Sequence, residues 1–231
     1  MISLRHQIKG SPALIRLVPF AIFAVLTFGQ TWFGESGRYW AYLVKTLAGG
    51  WMIWLVRPLI AEMRWQFSWE AMIVGGAVFV IWVGLDDFFV WLGLEQSYPK
   101  LRVSSGLWNP GLHFGPGSTL AGFFILVRIL GSGLVVPPLE EVFFRSFLYR
   151  YLAKPDFQSI PLGQFFWLPF FGTSILFGLE HREWLAGILC GFAYQGLVCW
   201  KKRLGDAISA HAITNFLLGL WVVWKQAWQF W

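Results

Sequence analysis

The chain has 231 residues, of which 57% are hydrophobic and only 13% are charged, and its mean hydropathy is +0.57. A soluble globular domain usually carries about 25% charged residues, so this composition excludes that class and predicts a polytopic membrane protein. The net charge of +6 does not indicate a nucleic-acid partner, because the lysines and arginines stand mostly singly at the ends of apolar segments.

Seven apolar segments, each near the roughly 20 residues that cross a bilayer, follow one another along the chain. They run from Leu17 to Gly34, Tyr39 to Val56, Trp69 to about Leu92, Ser118 to Val136, Leu162 to Leu179, Trp184 to Trp200 and Ala207 to Trp224. We therefore predict an all-α fold, a polytopic membrane helix bundle of about seven transmembrane helices. The number becomes eight if the helix that carries Glu140 and Glu141 is counted separately. The first segment is interpreted as a signal anchor, since no cleavage site follows it.

The chain is predicted to form a single integral membrane domain, 1–231. Within it, 1–94 is an N-terminal three-helix portion, 95–117 is a polar loop, and 118–231 is a helical core that holds the polar motifs. Pro137 and Pro138, with the glycines just before them, predict a broken or kinked helix. With a cytoplasmic N-terminus, seven crossings put the Lys201-Lys202-Arg203 cluster inside, as the positive-inside rule requires, although Lys100 and Arg102 then lie outside.

The glutamate pair Glu140 and Glu141 lies deep in apolar sequence, with Arg145 one helical turn later. Ionisable side chains at bilayer depth are costly, so they mark a functional site by default. Glu141 and Arg145 are four residues apart and share a helix face, whereas Glu140 points about 100° away. Arg145 can therefore neutralise Glu141 while Glu140 faces a cavity and accepts a proton. The alternative is that both acids only pair with Arg145 and Arg128 and hold helices together.

Two further polar clusters interrupt apolar segments: Phe177-Gly-Leu-Glu-His181 and His211-Ala-Ile-Thr-Asn215. His211 and Asn215 share one helical face, and an imidazole and an amide beside a carboxylate suit water activation and oxyanion stabilisation. Each histidine alone is more often a residue that bonds helices together. With seven crossings His181 lies at the far end from Glu140, unless the turn from Gly178 to Trp184 dips into the protein.

The order E-E-x-x-x-R, F-x-x-x-H and H-x-x-x-N on separate apolar segments resembles the CPBP family, also called Abi: the CAAX prenyl endopeptidases and bacteriocin-processing proteins. The resemblance covers roughly Ser118 to Trp224 and favours the bacterial CAAX-protease-related branch. It implies an intramembrane endopeptidase that hydrolyses a peptide bond near the membrane surface. By this resemblance the catalytic residues are Glu140, His181, His211 and Asn215, and the supporting residues are Glu141, Arg145 and Phe177.

The resemblance gives each catalytic residue a role. Glu140 and His181 activate the water, His211 and Asn215 hold the oxyanion, and Arg145 orients Glu141. The cofactor stays open between zinc and none, because family members are described as metalloproteases and as metal-independent glutamate proteases. A zinc ion, if present, would be held by Glu140, His181 and His211, yet no H-E-x-x-H spacing occurs.

The expected partners are a membrane-associated protein or peptide substrate and the lipid bilayer, with no nucleic acid. By resemblance, a link to an exosortase-like protein-sorting system is a further expectation. The expected location is the bacterial inner (plasma) membrane, with the N-terminus in the cytoplasm. Whether the substrate is prenylated is left open.

Two other classes of function compete with the peptidase. A transporter or ion-conducting protein can use intramembrane glutamates and histidines as a relay, although no paired inverted halves are visible in the sequence. A non-catalytic membrane scaffold or immunity-like protein can keep the same fold, but the intact motifs argue against it.

Overall fold

The computed structural model describes residues 10–93 and 107–231, which form helices and loops and contain no strand. The α-helices are α1 (Leu14–Gly29), α2 (Gly34–Val56), α3 (Trp69–Trp91), α4 (Pro110–Phe114), α5 (Thr119–Leu130), α6 (Val136–Glu141), α7 (Tyr149–Ala153), α8 (Trp167–Leu179), α9 (Trp184–Lys201) and α10 (Gly205–Lys225). The expected all-α fold is thus confirmed. The expectations about Lys100, Arg102 and most of the polar loop concern positions outside the described residues.

Helices α1 and α2 form an antiparallel hairpin. A 3₁₀ turn, Gln30–Phe33, leads to Gly34, whose positive φ of 68° is readily adopted only by glycine, and the chain reverses there. Phe23 of α1 then packs in one buried cluster with Met52 of α2. Gly49 lets the two helices approach, because a Cβ there would lie 3.0 Å from the Phe23 ring. The hairpin lines one side of the cavity that the polar motifs share.

The glutamate-bearing segment is one continuous helical stretch, Thr119–Ala153, rather than a broken helix. In two π-helical turns, Gly131–Val135 and Val142–Leu148, the backbone hydrogen bonds join residues five apart instead of four. The first turn ends with the Val136 N–H bonded to the Gly131 carbonyl, five residues back. Pro137 and Pro138 follow at the start of α6, where a missing N–H is tolerated. The helix therefore continues through the prolines with a change of hydrogen-bond register and is not broken there, whereas the predicted kink stays a prediction. Such π turns are frequent at functional sites.

Helix α8 begins at Trp167, five residues later than the apolar segment Leu162 to Leu179 predicts. Gly163 has a positive φ of 76°, and Phe166 is extended, so the chain before Trp167 is a loop. The Lys202 side chain donates to the Gly163 carbonyl at 2.6 Å and holds this loop. Hydropathy alone could not find this boundary, because most of the loop, namely Leu162, Phe165 and Phe166, is itself apolar.

Three stretches of the described chain are long and apolar enough to cross a membrane by length and composition: Leu14–Leu59, Thr119–Ala153 and Gly205–Lys225. Two shorter apolar helices, Trp69–Leu85 and Trp167–Leu179, accompany them. Large apolar side chains cover the outside; Trp32 is 86% exposed and Trp91 is 78% exposed. A surface of this kind suits lipid and not water, so the chain is an integral membrane protein. The number of about seven crossings stays a prediction.

Helices α3, α9 and α10 pack against one another and against the helical stretch that contains the π turns, and this packing forms the interior of the protein. Helix α10 approaches α3 closely because Gly75 has no side chain: a Cβ there would lie 2.6 Å from the Ala210 carbonyl oxygen. At this close contact between the two helices, the Thr214 hydroxyl donates to the Gly75 carbonyl at 2.8 Å. This contact fixes the face of α10 that carries His211 and Asn215.

Candidate active site

The polar motifs converge on one cavity of about 320 Å³. Glu140 reaches it from the end of α6, and His211 and Asn215 reach it from α10. His181 reaches it from the turn between α8 and α9, outside the membrane-spanning helices. The four side chains therefore come from three separate parts of the helical core, whereas Glu141 does not line this cavity.

Glu141 is fully buried between a histidine and an arginine. Its Oε1 accepts a hydrogen bond from His211 Nδ1 at 2.9 Å, and its Oε2 lies 3.1 Å from Arg145 Nε. Arg145 is only 2% exposed and stacks over the ring of Phe177 with its Cζ 4.2 Å from the centroid. A buried carboxylate needs such pairing to remain charged. Glu141 thus links the first motif to the third, and Phe177 supports the arginine.

Glu140 has a different environment, although it is the next residue. Its Oε2 lies 3.9 Å from His211 Nε2, and no donor in the described part of the chain makes a hydrogen bond to that oxygen. The side chain is 13% exposed and lines the cavity. A gap of 3.9 Å is too long for a direct hydrogen bond but suits one bridging water molecule, which sits about 2.8 Å from each atom.

His181 is held by its own turn. Its Nδ1 donates to the Phe177 carbonyl at 2.7 Å, so Nε2 is left as an acceptor. Burial lowers the pKa of His181 to about 4, although the bond to Phe177 opposes this shift, so the ring is neutral at physiological pH. Trp82 of α3 packs edge-on against the ring, with centroids 5.3 Å apart. The turn from Gly178 to Trp184 therefore carries His181 into the cavity shared with Glu140.

His211 and Asn215 are fixed by neighbours on α9 and the first π turn. The Tyr194 ring stacks on His211 with centroids 5.1 Å apart, and its hydroxyl donates to Thr214 Oγ1 at 2.8 Å. Asn215 Nδ2 donates to the Ser132 carbonyl at 2.9 Å. This bond uses one N–H of the amide and fixes its plane, which leaves the second N–H for a ligand in the cavity.

Several cavity residues had no role in the sequence interpretation: Lys45, Tyr42, Tyr194 and Thr214. Lys45 could have been found, because it is a lone lysine in the middle of an apolar segment. Arg128 was considered only as a partner for the glutamates, but no ion pair joins it to either one in the described chain. Glu180 lines the cavity beside His181, whereas Arg182 donates to the Gln229 carbonyl at 3.4 Å instead.

The donor set considered for zinc, Glu140, His181 and His211, is not assembled as a metal site. Within residues 10–93 and 107–231, no three side chains of His, Cys, Asp or Glu are placed to hold one metal ion together. His211 Nδ1 and His181 Nδ1 are both occupied by hydrogen bonds, so each ring offers only Nε2. The free Nε2 atoms are of the kind that bind zinc, but the three side chains are not placed to share one ion, so no step below is routed through a metal.

The fold and the site define an all-helical membrane protein with a cavity lined by glutamate, histidine and asparagine. Residues 122–217 match the family model described as Type II CAAX prenyl endopeptidase Rce1-like. This segment contains all three motifs, from Glu140 to Asn215, so the resemblance recognised from the motifs is confirmed over residues 122–217. Comparison with curated proteins and with solved structures gave no match.

Proposed function

We propose that the protein is an intramembrane endopeptidase that uses a water molecule activated by Glu140 and His181. One observation carries the proposal: Glu140 Oε2, which lacks a hydrogen-bond donor in the described chain, faces His211 Nε2 across 3.9 Å in the cavity that His181 also lines. A neutral imidazole and a carboxylate without a donor are both proton acceptors. The family match supports the reaction class.

In this mechanism Glu140 accepts a proton from the water while the water oxygen attacks the carbonyl carbon of the scissile peptide. His181 Nε2 accepts the water's other hydrogen bond and so aims a lone pair at that carbon. The C–N bond then breaks as the amide nitrogen receives the proton held by Glu140. One water is consumed, and a carboxylic acid and an amine leave the site.

His211 and Asn215 are the proposed donors to the oxyanion of the tetrahedral intermediate. The second N–H of Asn215 is available, because the first donates to Ser132. His211 donates only in the form that carries a proton on Nε2, and Glu141 accepts the Nδ1 proton of that same form. Glu141 and Arg145 are therefore positioning residues that act through His211. Preorganised donors of this kind stabilise developing charge strongly.

The substrate class that follows is a membrane-associated protein or peptide, since the cavity lies among apolar helices. Location in a bacterial inner membrane with a cytoplasmic N-terminus, and a link to a protein-sorting system, stay predictions. A cation relay, the transporter alternative, is disfavoured because Lys45 and Arg128 line the same cavity and would repel a cation.

The test uses the purified protein in detergent and two quenched fluorescent peptides with the same CAAX-type end, one farnesylated and one not. We expect Glu140→Gln and His181→Ala each to lower kcat at least about 100-fold, the usual contribution of general base catalysis. Glu35→Gln, a change at an exposed glutamate of α2, should cleave at the parent rate. The proposed mechanism routes no step through a metal, so protein freed of metal by a chelator should keep its activity. A Glu140→Gln variant as active as the parent would refute the mechanism.

A further inference from the structure

A second cavity, of about 240 Å³, adjoins the cavity that Glu140 and Asn215 line, which we call the first cavity. Among the described residues, five line both cavities: Trp82, Arg128, His181, Phe230 and Trp231. The second cavity also borders the turn between α1 and α2, through Gln30 and Thr31, and the turn between α8 and α9, through Arg182. The boundary between the two cavities is therefore built from residues that are distant in sequence.

The segment after α10 supplies two aromatic residues of this boundary. Gln226 follows the helix in a left-handed conformation, with a φ of 55°, and the chain turns back there. A 3₁₀ turn, Trp228–Phe230, comes next and leads to Trp231. Because Phe230 and Trp231 line the first cavity and the second, they stand between the two. We call this pair the aromatic wall.

The ring of Trp231 is held by three neighbours. It packs against Trp108 and Trp228, with ring centroids 5.6 Å and 5.4 Å apart. Arg128 Cζ lies 5.4 Å from the Trp231 centroid, so the guanidinium also contacts this ring. A ring packed in this way resists displacement, since overpacking forces side chains away from their preferred rotamers.

The aromatic wall stands beside the proposed reaction centre. His181 lines both cavities as well, so it lies at the same boundary as the wall. Arg182, the next residue, donates to the Gln229 carbonyl at 3.4 Å and joins the turn that carries His181 to the segment that carries the wall. A substrate residue next to the scissile bond would therefore meet Phe230 or Trp231.

The first cavity has little room for a large side chain at this point. Its volume of about 320 Å³ is at the lower limit of ordinary ligand pockets, and it has to hold peptide on both sides of the scissile bond. Without the two aromatic side chains it would join the second cavity. We infer that Phe230 and Trp231 are specificity-determining residues that restrict one substrate residue beside the scissile bond to a small side chain. The inference rests on the proposed peptidase for its choice of ligand.

The test measures peptide binding and peptide cleavage separately. Apolar hexapeptides with a neutral fluorescent label carry alanine, leucine or tryptophan at one position, and this position is moved along the peptide from one set to the next. Binding is titrated with protein that carries Glu140→Gln, and cleavage is measured with Glu140 intact. Phe230→Ala and Trp231→Ala are introduced singly and together. Trp224→Ala is the matched control, because Trp224 is a nearby tryptophan that is 71% exposed.

We expect the parent protein to bind and cleave the alanine peptide at least about tenfold better than the tryptophan peptide at one position, since a fixed pocket rejects a side chain that is too large. The double variant should remove this difference at the same position, and each single variant should reduce it. Trp224→Ala should keep it. Thermal unfolding shows which variants are folded, and the single variants carry the test if the double variant is not.

A further substitution tests whether the space gained is the second cavity. Thr31 lines that cavity from the turn between α1 and α2. Thr31→Trp alone should leave cleavage of the alanine peptide unchanged, because the aromatic wall lies between this residue and the first cavity. Added to the double variant, Thr31→Trp should restore the preference for alanine.

Three results would overturn the inference. The first is a parent protein that treats alanine and tryptophan alike at every position. The second is a size preference that persists in folded variants without the wall. The third is a double variant whose acceptance of tryptophan does not change when Thr31→Trp is added.

Failure of this inference and failure of the proposed function give different results. If the parent protein cleaves peptides but the size preference persists without the aromatic wall, only the wall is wrong. If the size preference and its loss are seen in binding but Glu140→Gln has no effect on cleavage, the wall stands and the mechanism is wrong.

Discussion

Glu140 and Glu141 are adjacent in sequence and yet occupy opposite electrostatic environments. Residues i and i+1 of a helix point about 100° apart, so one carboxylate can face the protein and the other a cavity. Glu141 is completely buried with His211 and Arg145 as partners, while Glu140 faces the cavity without a donor on Oε2 among the described residues. The separate roles proposed for the two acids follow from this geometry.

Removal of the Arg145 charge tests the role of the buried pair. Arg145→Met leaves the Glu141 carboxylate buried with only His211 as a partner, and we expect the free energy of unfolding to fall by about 3 kcal/mol. The measurement is denaturant unfolding in detergent. Arg57→Met, at an exposed arginine after α2, should change it by less than about 0.5 kcal/mol. An unchanged stability of Arg145→Met would show that Glu141 does not depend on the ion pair.

Helices α8 and α9 approach closely because small residues lie at their contact. Gly187 and Gly191 are four apart on one face of α9, the spacing that lets membrane helices pack backbone to backbone. A Cβ at Gly187 would lie 2.8 Å from Gly178 Cα, and one at Gly191 would lie 2.7 Å from Ser174 Cα. The turn that carries His181 joins these two helices, so their approach decides where its imidazole lies.

A bulky residue on this face should therefore disturb the site from a distance. We expect Gly191→Leu to separate α8 from α9, to lower the unfolding temperature and to reduce peptide cleavage at least tenfold. Gly196→Leu is the matched control on the same helix, because a Cβ there meets nothing within 4 Å. Cleavage and thermal unfolding are measured for both variants. Equal behaviour of the two would show that the close approach is not needed.

The molecule exposes large apolar side chains on its outside, and a smaller set of polar side chains is buried among its hydrophobic clusters. Glu62 accepts hydrogen bonds from several donors. It lies in the loop after α2, at the end of the bundle where this loop contacts α1 and α7. Its Oε1 accepts from Arg16 Nη2 at 2.6 Å, from Arg150 Nη2 at 3.2 Å and from the Ser146 hydroxyl. Burial acts to raise the pKa of Glu62, but Ser146 and Arg16 outweigh it and hold the pKa below its usual value.

The depressed pKa makes global stability depend on pH. Glu62 binds protons less readily in the folded state, so its contribution is complete above the unfolded value of 4.5 and is lost as pH falls through the folded pKa. We expect the unfolding temperature in detergent to decline below about pH 4.5. Glu62→Gln should be less stable at neutral pH and should show a smaller decline, whereas Glu35→Gln should follow the parent. Parallel curves for Glu62→Gln and the parent would contradict this account.

Sequence alone was enough for the class of fold and for the family resemblance. Long apolar segments predict helices and a membrane, because an unpaired backbone has no partner in lipid, and this holds whatever the packing. The three motifs were equally visible, since charged and polar residues are conspicuous in apolar surroundings. Lys45 is conspicuous in the same way, but the sequence does not indicate which ring or cavity its side chain faces.

Only the tertiary structure decided the geometry on which function depends. The π turns around Pro137 and Pro138 and the loop before Trp167 depend on backbone hydrogen bonds that hydropathy does not record. The positions of His181 and Arg128 depend on how close the helices approach, which glycines and aromatic rings set through contacts distant in sequence. Sequence thus determined which residues are polar in an apolar protein, and packing determined which of them share one cavity, because distance between side chains is a property of the folded chain.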